Sequence, residues 1–231
     1  MDKLIRIPPH QTALMQHLQR LVSCGHYFWC ADHIPRNRLP AFIDKWSVYA
    51  LRADAPARAY RKQCGRASVH LCIGPECLDQ TTESISWRML ASQGKQGLSG
   101  DGALPGRVWD ARTEAGRLRH GDYELVHVTK TITVAGKRKR QPTWTWRLTS
   151  QRYQAWEALL VQRAKVRDHK ALEQALACLT AMPMFSGVRA QVMRLQAELN
   201  KMLRKVKCKE IAGASLPVMR MLVLWDKNIQ L

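Results

Sequence analysis

The sequence predicts an α+β protein. Three observations carry that reading. Short apolar runs alternate with period two and are bounded by Gly or Pro. Longer stretches repeat apolar residues every three or four positions. The two kinds then follow one another in an order typical of mixed folds. Apolar residues make up 46% of the 231, enough for a core.

Thr12 to Leu21 is the first expected helix, with Leu14, Leu18 and Leu21 at helical spacing. Tyr27–His33, between Gly25 and Pro35, reads as a strand. Pro35 and Asn37 open a second helix whose apolar face is Phe42, Ile43, Trp46 and Tyr49. Arg52–Arg66 is polar and basic and leads into a strand at Ala67–Ile73. Glu83–Ala91 is a third strand. Strand, helix, strand, strand is the opening of a ferredoxin-like (RRM-like) sandwich. Gln93–Gly106 holds five glycines and reads as a loop. Val108–Leu118 reads as a short helix.

Tyr123–Thr149 reads as a β-hairpin. Tyr123–Val134 and Thr143–Thr149 alternate, and the break between them contains Gly136 and Pro142. Its expected tip is Lys137, Arg138, Lys139 and Arg140. From Ser150, a candidate N-cap, a helix is expected to continue past Leu176 until Met182–Pro183. A second helix is expected from Gly187 to Lys207, with Val188, Val192, Leu195, Leu199, Met202 and Val206 on one face. Leu216–Trp225 reads as a last strand. The expected organisation is a core with basic hairpin over 1–149, a basic helical hairpin over 150–210, and a strand returning to the core over 211–231.

Charge bounds the function. Lys and Arg number 37 against 18 Asp and Glu, a net charge of +19. From Lys137 to Lys209 there are 17 Lys or Arg and 4 Asp or Glu. Such an excess points to a polyanion. The expected nucleic-acid contacts are Arg61, Lys62 and Arg66, the run Lys137–Arg140, Arg147, and Arg194, Lys201, Arg204 and Lys205. Trp144 and Trp146 are either base-stacking residues or one face of a core. No run of 18 apolar residues occurs and the N-terminus lacks a signal-peptide pattern, so a cytoplasmic protein with no membrane partner is expected.

Catalytic patterns are sparse. Carboxylates are few, and no Gly-Lys-Ser/Thr loop or HExxH occurs, which argues against two-metal and NTP-driven enzymes. Cys64, His70, Cys72 and Cys77 fall within 14 residues but form no CxxC pair, so zinc is weighed without being favoured and no cofactor is expected. The odd count of seven cysteines suits reduced thiols. Metal-free RNA cleavage needs a base for the 2′-hydroxyl, a proton donor for the leaving 5′-oxygen and charge for the phosphorane. His26 and His33 bracket the first apolar strand, and Arg36 and Arg38 follow in DHIPRNR. These four are the candidate catalytic residues.

A basic chain with this opening, a Gly-rich loop at Gln93–Gly106 and a basic helical hairpin resembles the CRISPR repeat-processing RNA endonucleases, most closely the version in type IV systems. The resemblance is one of architecture and composition. It implies metal-independent cleavage of precursor CRISPR RNA at a repeat hairpin. It also implies a product kept bound, with the protein as a subunit of a ribonucleoprotein complex. The competing reading is a non-catalytic nucleic-acid-binding protein of a plasmid or other mobile element, serving replication or mobilisation.

Overall fold

A computed structural model describes residues 5–46, 55–98, 107–134, 137–205, 216–219 and 227–229, and nine strands and six α-helices occur among them. The chain divides into two compact units. One is Met1–Leu118 with Gln141–Trp144 and Met221–Leu231; the other is Arg119–Arg140 with Thr145–Arg220. The boundary near Leu118 differs from the expected one at Thr149, because the long hairpin, apart from Gln141–Trp144, groups with the helices that follow it.

The first unit opens with β1 (Ile5–Ile7), which pairs antiparallel with β9 (Lys227–Ile229). Helix α1 (Gln11–Ser23) buries Leu14, Leu18, Leu21 and Val22, a stripe of i, i+4 and i, i+7 spacing. His10 caps it, Nδ1 accepting the amide of Ala13 at 3.2 Å. Strand β2 (Phe28–Pro35) follows, then a 3-10 turn at Arg36–Arg38, helix α2 (Leu39–Lys45) and helix α3 (Ala55–Gln63). Strands β3 (Val69–Ile73), β4 (Ser84–Ala91) and β5 (Trp109–Asp110) complete the sheet.

The sheet order is β3-β4-β2-β5, and each neighbouring pair is antiparallel. Register is set by the buried side of the pleat. Cys30 faces Met89, Ile34 faces Ile85, and Leu71 faces Met89. On that side Cys30, Val69, Ile73, Ile85, Trp87, Met89 and Ala91 form one core with Leu39, Phe42, Ile43 and Trp46 from α2 and its end. The Phe42 ring lies 4.7 Å from that of Trp87.

In the second unit β6 (Arg119–His120), β7 (Tyr123–Val134) and β8 (Lys137–Leu148) form a sheet in that order. Helices α4 (Ser150–Lys165), α5 (His169–Thr180) and α6 (Ser186–Lys205) follow, α4 lying against both others. Thr145 Oγ1 accepts the amide of Gly187 at 3.0 Å, tying the start of α6 to β8. A Cβ at Gly187 would stand 2.5 Å from the Trp146 carbonyl, so only glycine allows this approach. Gln191 holds both backbone groups of Leu148, accepting from its amide at 2.7 Å and donating to its carbonyl at 3.1 Å.

Several expectations are corrected. Within the polar, basic stretch Arg52–Arg66, to which the sequence assigns no element, Ala55–Gln63 is helical. Ala55, Ala57 and Ala59 are strong helix formers, and Pro56 suits a first turn. Val108–Leu118 is not a helix: it holds β5 and a turn in which Thr113 Oγ1 donates to the Asp110 carbonyl at 2.9 Å. The cations Lys137–Arg140 lie in β8 rather than at a hairpin tip, and Pro142 lies within the same strand. The helix after Thr149 is two helices. Arg167 adopts φ of 56° after α4, and the Asp168 amide donates to the Arg163 carbonyl, a left-handed helix stop made without glycine. The helical part is therefore three helices. Thr149, not Ser150, caps α4, its side chain accepting from the Arg152 amide. The expected last strand has no regular structure at 216–219, and 220–225 lies outside the described residues, as do Tyr49, Val206 and the 99–106 part of the Gly-rich loop. On α6 Leu203, rather than Met202, continues the buried stripe.

Candidate nucleic-acid interface

Three histidines gather in the first unit. His17 is on α1, His26 just past its end, and His70 on β3. Gly25 explains the position of His26. With φ of 93° it ends α1 in a Schellman turn, in which the His26 amide donates to the Leu21 carbonyl and the Gly25 amide to that of Val22. The reversal folds the His26 ring back, placing Nδ1 3.1 Å from the same Leu21 carbonyl. A carbonyl only accepts, so Nδ1 carries the proton and Nε2 carries a lone pair. Nε2 is buried and has no hydrogen-bond partner in the protein. The His26 ring meets that of His70 edge to face, 4.7 Å between centroids.

All three imidazoles are held neutral at pH 7. Burial brings His70 down to about 3, aided by His26, Arg58 and His17. Burial, then Arg20, His26 and Arg58, bring His17 down to about 4. Burial lowers His26 too; the Leu21 carbonyl opposes that, and Lys62 and Arg58 add to it. Desolvation thus dominates and nearby cations reinforce it.

Of those cations Arg20 is on α1, and Arg58 and Lys62 are on α3, one face of which neighbours the histidines. The end of α3 is joined to the Gly-rich loop. The Ala67 amide donates to the Lys95 carbonyl at 2.8 Å and the Lys95 amide to the Gly65 carbonyl at 2.9 Å. Lys62, Arg66 and Lys95 are exposed there. Arg61 donates to the Ala67 carbonyl, and burial followed by the like charge of Arg66 depresses its pKa. No Asp or Glu occurs between Ile5 and Ala31, between Ala55 and Pro75 or between Ser84 and Leu98. The elements that build this surface thus bring cations and neutral bases but no carboxylate. The expected contacts Arg61, Lys62 and Arg66 belong to it. Arg58, Lys95, His17 and His70 were not expected there. Recognising α3 as a helix is the signal that would have grouped Arg58 with Lys62, at i, i+4.

The remaining expected residues separate. His33 is exposed on β2 and Arg38 is exposed in the 3-10 turn. The steps along β2 from Phe28 to His33 span about 17 Å of strand, so His26 and His33 do not share one site. Arg36 has a structural task. Its Nε donates to the Thr82 carbonyl at 2.9 Å, Nη1 to Cys77 at 3.0 Å, and Nη2 to Glu76 and Asp79. A guanidinium committed to four carbonyls is not available to a phosphate. Trp144 and Trp146 are buried at 8% and 0% exposure, so they pack rather than offer stacking faces. The Trp146 ring lies 6.4 Å from that of Phe185. Arg147 is committed as well, its guanidinium on buried Glu124 at 2.7 and 2.8 Å.

In the second unit Arg138, Lys139 and Arg140 are exposed in β8. Successive strand residues point to opposite faces, so both faces of the hairpin are cationic here. On α6 Arg194, Arg204 and Lys205 are exposed, and Lys201 lies 3.8 Å from Glu198. The cysteines weighed for zinc do not converge with His70. Cys64 is exposed, and burial pushes the Cys72 thiol up to about 12. Among the described residues no three His, Cys, Asp or Glu form a metal-holding group, and no helix is long and apolar enough to cross a membrane.

Comparison with protein-family models, with curated proteins and with solved structures yields no match.

Proposed function

We propose that this protein binds RNA and cleaves it by metal-independent attack of a 2′-hydroxyl. The observation that carries the reading is the set of neutral histidines bordered by Arg58 and Lys62 on elements with no carboxylate. His26 is the base: its Nε2, buried and without a partner in the free protein, takes the 2′-hydroxyl proton once bound RNA uncovers it. The 2′-oxygen bonds to phosphorus, the bond to the 5′-oxygen breaks, and that oxygen leaves with a proton from Lys62. The products are a 2′,3′-cyclic phosphate and a 5′-hydroxyl. Arg58 and Lys62 stabilise the charge of the phosphorane. Arg61, Arg66 and Lys95 hold flanking phosphates, and the β8 and α6 cations give the second unit a phosphate-binding surface of its own.

The sheet supports a ferredoxin-like reading of the first unit. A strand, a helical crossover and two strands of antiparallel order are followed by an edge strand beside the first. The narrower reading is processing of precursor CRISPR RNA at a repeat hairpin, with the product retained in a ribonucleoprotein complex. A second reading, non-catalytic binding for a mobile element, draws on one fact: His26 Nε2 is buried.

The test is cleavage of labelled hairpin-repeat RNA in EDTA, beside the same RNA with a 2′-deoxy substitution at the cut. Cleavage in EDTA that the substitution blocks is the expected result. Salt-sensitive binding without cleavage selects the second reading, and cleavage of the deoxy RNA rules out the 2′-hydroxyl mechanism.

A further inference from the structure

Away from the histidines, the β5 edge carries two arginines stacked on aromatic rings. The Arg107 guanidinium lies 4.2 Å from the Trp109 ring. The Arg112 guanidinium lies 4.8 Å from the Tyr27 ring and 5.4 Å from that of Phe28. β5 is the edge strand of its sheet, and both arginines are exposed.

The two differ in charge. Arg112 is paired with Asp110: Nε stands 3.0 and 3.2 Å from the two carboxylate oxygens and Nη2 2.7 Å from Oδ2. Its own amide also donates to Oδ1 at 2.9 Å. This fork–fork pair neutralises Arg112 and fixes its plane over Tyr27. The Ala111 amide, donating to the Tyr27 carbonyl at 2.8 Å, anchors the turn to β2. A neutralised guanidinium gains little from a phosphate. What it still offers is a flat, weakly hydrated outer face, and unpaired nucleobases stack on such planes. Arg107, by contrast, has no acid among its described neighbours in sequence before Asp110, which Arg112 occupies.

We infer that the outer face of Arg112, held by Asp110 over Tyr27, is a stacking site for one unpaired nucleobase, and that Arg107 on Trp109 holds the adjoining phosphate. The inference rests on the RNA-binding reading above and adds single-stranded RNA flanking the hairpin as the ligand. The site excludes duplex RNA, whose bases present no free face.

The test is binding of a single-stranded oligoribonucleotide carrying 2-aminopurine to the full chain. Anisotropy gives affinity, and 2-aminopurine quenching reports stacking. Arg112→Lys keeps the charge and the Asp110 partner but removes the plane. It should abolish quenching and weaken binding about tenfold, with an unchanged salt slope. Arg107→Ala should keep quenching and reduce the slope of log K against log salt by about 0.7. Thermal melting checks that each variant folds as the parent does. Quenching retained by a folded Arg112→Lys overturns the inference. Should Arg112→Lys unfold, Tyr27→Leu takes its place: it removes the ring that supports the plane, and retained quenching there overturns the inference equally. No binding of any RNA by the parent chain instead overturns the RNA-binding reading on which it rests.

Discussion

The ring of His26 meets that of His70 edge to face at 4.7 Å, and neither is charged at neutral pH. The pairing joins the turn after α1 to β3, two segments 44 positions apart. Burial makes their neutrality part of the stability of the first unit.

That neutrality has a sign. Folding lowers the pKa values of His17, His26 and His70 below the unfolded value of 6.5. Between pH 6.5 and the folded values the unfolded chain binds more protons. Stability contributed by these groups is therefore complete above 6.5 and is lost as pH falls. His70→Gln should lose about 2 kcal/mol less than the parent between pH 6.5 and 4.5, measured by urea unfolding. Equal losses in both proteins would remove His70 from the acid response.

Arg36 separates a structural from a catalytic role. Arg36→Ala leaves the carbonyls of Glu76, Cys77, Asp79 and Thr82 without their shared donor. A loss of about 2–4 kcal/mol is expected by chemical denaturation. Full stability combined with lost cleavage would return Arg36 to the chemistry.

Lys62 acts on His26, and Arg66 and Lys95 are exposed where the end of α3 meets the Gly-rich loop, without a carboxylate on their elements. Their joint replacement by Ala should weaken binding of single-stranded RNA and reduce the salt slope by about 2. The fold should persist, since all three are exposed. An unchanged slope would place the RNA elsewhere.

Arg167 stops α4 at φ of 56°, a conformation that favours glycine. Arg167→Gly should raise stability by about 0.5–1 kcal/mol, read as an upward shift in melting temperature. Destabilisation would mean that the Arg167 side chain makes compensating contacts.

Much of the first unit is legible in the sequence, because its elements advertise themselves locally. The stripe of Leu14, Leu18 and Leu21 marks α1. The runs around Cys30, Leu71 and Trp87 mark the central strands. The polar helix α3 is harder to read, since it buries no residue completely and so has no apolar stripe. The stop at Arg167 is hidden because the residue there is not glycine.

Sequence alone determined the α+β class, the excess of cations and their scarcity of acidic neighbours. These depend on composition and on periodicity within one element. Tertiary structure alone decided which residues keep company. It brought His17 and His70 to His26, placed His33 at the far end of β2, and gave Arg36 to four carbonyls. It also buried Trp144 and Trp146 and set Arg112 on Tyr27. The physical reason is that burial, desolvation and hydrogen-bond partnership arise from contacts between distant segments. Local pattern assigns a residue to a face; packing decides what that face meets.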